Sequence, residues 1–162
     1  MTTRTVASDP LYLEDLEPGQ IHRSDGEPAV MDAESIKAFA RQFDPQLFHL
    51  DEASAAKTFF RGLAASGWHT AAVTMRLLVD GGLPLAGGVI GAGVEEVRWP
   101  RPVRPGDRLR VESEVLEVRP SRSRPEQGLA KIRTTTLNQG NEPVQVMTSN
   151  LVVQRRPAGI SR

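Results

Sequence analysis

The chain contains no cysteine. That excludes disulfides, thiolate metal sites and a cysteine nucleophile. Histidine is scarce: His22, His49 and His69 stand far apart, which argues against a structural zinc site. Charge of one sign is not in excess, because 20 basic residues balance 20 acidic ones. A chain without net charge offers no global attraction to nucleic acid or to an anionic membrane as partner. No apolar run approaches the ~20 residues that span a bilayer. The opening stretch, MTTRTVASDP, lacks the apolar segment of a secretory signal. Internal repeats and low-complexity tracts are missing too. The expectation is a soluble cytoplasmic domain, long enough at 162 residues to bury a core without staples. It is read as one unit over residues 1–162, with its core at about residues 16–153. The first residues and the tail from Arg155 to Arg162 are expected to be loose.

Helical signals come first. Asp32 is a good N-cap, and Met31 before it can staple to Ile36. Ile36, Phe39, Ala40 and Phe43 then share one helix face. Pro45 stops that helix near Phe43. Asp51 can cap a second short helix, from Glu52 to about Phe59. Ser66 to Val79 reads SGWHTAAVTMRLLV, apolar nearly all round, so the spacing predicts a helix buried on most sides. Gly81 and Gly82 end it.

Strand signals follow. Val89 to Trp99 reads as a strand. A turn at Arg104 to Asp107 leads into a long strand whose alternation switches parity near Val115, the mark of a bulge. Leu129 to Leu137 and Val144 to Val153 are strands joined by a turn at Asn138 to Asn141. Helices early and antiparallel strands late give an α+β class, a sheet curled around one long helix. An exposed strand edge near the C-terminus would favour pairing with a second copy.

One stretch, FDPQLFHLDE, sets Asp44 five residues before His49, in the tight link between two helices. Side chains there can point inward together. Taken alone, Asp44 could merely cap local amides, and His49 could be a satisfied core histidine. Taken together with two further segments, GLAASGWHTAAVTMRLL and GVEEVRWPRPVRPGDRLRVESEVLEV, the stretch resembles the MaoC-like dehydratases, hotdog-fold relatives of the (R)-specific enoyl-CoA hydratases.

That resemblance runs from about Leu16 to Val153. It implies a hotdog fold, a homodimer and a thioester substrate, carried by coenzyme A or an acyl carrier protein. The reaction implied is addition of water to an enoyl thioester, or its removal from a 3-hydroxyacyl thioester. Asp44 and His49 match the family's catalytic pair, and Gly67 matches the glycine whose region supplies an oxyanion-hole amide. The family commonly reads Asp-x-Asn-Pro-x-His, where this chain has Gln46 and Leu47, and commonly has a histidine where this chain has Ser66. No cofactor is implied beyond coenzyme A as part of the substrate. Ser66, Trp68, Arg122 and Arg124 are candidate substrate contacts, and the arginines around Trp99 and near Arg119 are candidates to meet coenzyme A phosphates. Two rivals stay open. Hotdog thioesterases often carry a carboxylate on the central helix, but Ser66 to Val79 holds no Asp or Glu. A non-catalytic acyl-thioester-binding or structural subunit is the other.

Overall fold

The first helix begins where a carboxylate can hold free backbone amides. A computed structural model describes residues 9–161, so the expectations for the opening eight residues lie outside the described residues. Helix α1 spans Ala33–Phe43. The Asp32 carboxylate accepts from the Ser35 amide at 2.8 Å and from the Ser35 hydroxyl at 2.7 Å, as an N-cap should. Ile36 and Ala40 are buried, and Met31 before the cap is buried with them. After Pro45 come two single turns, α2 (Leu47–Leu50) and α3 (Glu52–Ala55). Helix α3 stops well short of Phe59. The Arg104 guanidinium takes the carbonyls that follow: it donates to Gly62 at 2.9 Å, to Leu63 at 3.2 Å and to Phe60. Arg104 is therefore a backbone clamp and not a free surface cation.

Helix α4 spans Gly67–Leu77 and continues in a wider turn, Leu78–Gly82. Gly81 closes that turn at φ 128°, a conformation that side chains rarely adopt. The expected burial on most sides is not met in the single chain. His69, Thr70, Thr74 and Leu77 are buried, but Trp68, Met75 and Val79 form an exposed side.

Among the described residues, six strands make one antiparallel sheet: β1 (Ile21–Arg23), β2 (Ala29–Met31), β3 (Ile90–Arg98), β4 (Asp107–Pro120), β5 (Gln127–Leu137) and β6 (Pro143–Gln154). Their order is β1-β4-β5-β6-β3, with β2 also pairing β4. The two shortest strands have no expectation behind them, since three residues carry too little alternation to read. The bulge falls where the parity switches, between Val115 and Glu117. Val111, Val115, Ile132, Val144 and Val153 line the inner face and form the core with Leu77, Leu78 and Leu83. Thr74 meets Thr136 across this interface at 2.6 Å. Outside, strands are laced by ion pairs such as Arg133–Glu114 at 2.6 Å and Lys131–Glu95 at 3.0 Å. The result is the expected α+β hotdog fold.

Two expectations about the ends need correction. The C-terminal strand β6 lies inside the sheet, between β5 and β3, so the edges belong to β1 and to the longer β3. The tail is tied at its start: Arg155 pairs with Glu14 at 2.9 Å and Arg156 with Asp15 at 2.6 Å.

Candidate active site

Asp44 is the C-cap of α1, and His49 sits in α2 directly after the proline break. The break folds the two toward each other. His49 Nε2 lies 3.2 Å from Asp44 Oδ2. On the other side of the ring, Nδ1 is 2.6 Å from the Ala64 carbonyl. A carbonyl can only accept, so Nδ1 carries the proton in that bond and Nε2 is left to exchange one. His49 is 4% exposed, and its ring has Phe48 edge-on at 4.5 Å and Phe60 at 5.8 Å. Its orientation is thus set by a backbone acceptor and an aromatic cage.

Asp44 is wetter, with its side chain 19% exposed. Gln46, the N-cap residue of α2, donates from Nε2 to Asp44 Oδ1 at 2.6 Å. Partial burial works to raise the carboxyl's pKa. Hydrogen bonding with Gln46, then Ser66, and the neighbouring His49 outweigh it, so Asp44 is held below the usual aspartate value. The group is a carboxylate at neutral pH. Gln46, which stands where the family commonly has Asn, is thus a supporting residue for Asp44.

His49 opens onto a cavity of about 340 Å³, lined also by Phe60, Gly67, Thr70, Trp99 and Arg101. That is within the range of small-ligand sites. Asp44 does not line it; it reaches His49 from the end of α1. The Gly67 amide is the first of α4 and has no acceptor among the described residues. Gly67 also has a packing role. A Cβ there would fall 2.6 Å from Trp99 Cε2, so the indole lies directly against the glycine.

The remaining candidates are dispersed. Ser66 is fully buried as the N-cap of α4, where its hydroxyl accepts from the Trp68 amide at 3.3 Å and supports the Asp44 charge. It has no surface to offer a substrate. Trp68 is 62% exposed, stands edge-on to Trp99 at 5.3 Å and does not line the His49 cavity. Arg122 and Arg124 lie on the β4–β5 loop, around a separate hollow of about 570 Å³. The arginine that lines the His49 cavity is Arg101, paired with Glu142 at 3.7 Å. Trp99 is the wall residue that sequence reasoning passed over, although its place between Arg98 and Pro100 marks the end of β3. His69 is a packing residue: it stacks on Phe39 at 4.7 Å, and burial lowers its pKa.

Among the described residues, no group of three or more His, Asp or Glu side chains is placed to hold a metal ion. No helix there is long and apolar enough to cross a membrane.

Comparisons with known proteins agree with this fold. The model of the MaoC like domain matches residues 18–137. An uncharacterized Bacillus subtilis protein, YdeM, is 34% identical over 120 residues, 74% of this chain and 82% of its own length. The crystal structure of a MaoC-like dehydratase from Rhodospirillum rubrum superposes with a TM-score of 0.87 at 56% identity, over 91% of this chain and 99% of that one. The unliganded R-hydratase PhaJ1 from Pseudomonas aeruginosa superposes with a TM-score of 0.67 at 26% identity, over 94% and 95% of the two chains.

Proposed function

The chain belongs to the MaoC-like domain family, and from that premise we propose that it is a hydro-lyase adding water to, or removing it from, C2–C3 of an acyl thioester. The observation that carries the reading is the 3.2 Å contact between His49 Nε2 and Asp44 beside a cavity that Gly67 also lines. Family membership and the likeness to an R-hydratase support the reaction class.

In the hydration direction, one water on the cavity side of His49 hydrogen-bonds to the Nε2–Asp44 pair. Its oxygen bonds to C3 while one of its protons passes to the pair. The C2–C3 π electrons shift to C2 and the thioester oxygen, which the Gly67 amide stabilises at the positive end of α4. A proton then goes to C2, so that H and OH have added in sum. Dehydration runs the same steps backwards. The roles of acid and base are shared by the pair. The acyl group is carried on coenzyme A or an acyl carrier protein, and two copies of the chain pair along the open edge of β3.

The test is a panel of enoyl-CoA thioesters, assayed by loss of the conjugated-bond absorbance. His49→Ala is expected to lower the rate by about 10²–10⁴-fold with an unchanged circular dichroism spectrum. Wild-type rates in that folded variant would remove His49 from the reaction.

A further inference from the structure

We propose that Trp99 decides which acyl groups the His49 cavity accepts, acting as a fixed partition between that cavity and a second hollow beside it. The second hollow, about 770 Å³, lies over the end of β3 and the start of β6 and is lined also by Arg98, Pro143 and Val146. The segment Trp99-Pro100-Arg101 lines both spaces. Of the three, only Trp99 presents a broad apolar face. The inference rests on the acyl-thioester reading above.

Two independent features fix the indole. Its Nε1–H donates to Gln145 Oε1 at 2.8 Å. Gln145 is 0% exposed, an expensive place for an amide unless its bonds are made. It is anchored in turn: its Nε2 donates to Thr74 Oγ1 at 3.2 Å, and Thr74 is bonded to Thr136 and to the Thr70 carbonyl at 2.8 Å. The ring's other side rests on Gly67, where even a methyl group would fall inside contact distance. A tryptophan that merely filled core would need neither a buried amide aimed at its N–H nor a missing Cβ beneath it. A ring pinned at one angle can act as a pocket floor, because a longer chain cannot push it aside.

Removing the ring joins the two spaces. In an apolar pocket, fit of a single methylene changes selectivity by about tenfold or more. Trp99→Ala is therefore expected to raise the ratio of kcat/KM for dodecenoyl-CoA to that for crotonyl-CoA at least about tenfold. Trp99→Phe, which keeps an aromatic ring but loses the N–H anchor, is expected to move the ratio in the same direction by less. An unchanged ratio in folded Trp99→Ala protein, whatever the fall in overall rate, overturns the proposal. Should that variant fail to fold, the Trp99→Phe ratio decides in the same way. If wild-type protein turns over no thioester, the hydratase reading fails by itself. The partition is then judged by calorimetric binding of saturated butyryl- and dodecanoyl-CoA to wild type and variants. Absence of all binding to wild type would sink both.

Discussion

At the scale of single residues, the site works by holding one carboxylate ionised beside one imidazole. Gln46 and Ser66 lower the Asp44 pKa although partial burial opposes them. A depressed carboxyl pKa stabilises the fold above the unfolded value, about 3.9, and that contribution vanishes as pH falls through the folded value. Asp44→Asn should therefore be less stable than wild type to urea at neutral pH, with the gap closing in acid. A gap that stays constant down to about pH 2, below the ordinary aspartate range, would mean that Asp44 is not held as described. The pairing of Asp44 with His49 was legible because local chain geometry, a helix end followed by a proline, brings them together. Arg122, Arg124 and Trp99 were not legible in the same way. Their distance from His49 is set by strand pairing across the sheet, which spacing along the chain does not encode. Ser66, a candidate substrate contact, is instead the buried N-cap of α4 and a support for Asp44.

At the scale of elements, α4 begins under a ring. Gly67→Ala keeps the backbone N–H but places a methyl group 2.6 Å from Trp99. Overpacking of this kind costs about 1–3 kcal/mol, to be read from urea unfolding. Any loss of hydration in that variant reports the displaced indole, since the amide donor survives. Stability equal to wild type would show that the ring has room to yield. Elements whose signals are local were readable: the Asp32 cap, the Pro45 stop and the parity switch at Val115 each act through neighbours in sequence. Helix α3 was overextended because nothing nearby in sequence reveals that Arg104, 42 positions after Gly62, claims the following carbonyls. The exposed side of α4 misled for a related reason. Trp68, Met75 and Val79 are apolar, yet the single chain leaves them uncovered.

At the scale of the whole molecule, β3 stands at the rim of the sheet with Ile90 and Val94 exposed. Apolar residues along an open strand edge invite a second strand. Sedimentation equilibrium is expected to give twice the chain mass for wild type, and the single-chain mass for an Ile90→Lys, Val94→Lys variant. A wild-type monomer would contradict that assembly. The clasp that follows β6 has a different implication. Because Arg155 and Arg156 clasp Glu14 and Asp15, the polypeptide's path nearly closes on itself. New termini cut at the Asn138–Asn141 turn, with a short linker spliced across the clasp, would leave every strand beside its present neighbours, so such a permuted chain is expected to keep the wild-type circular dichroism spectrum.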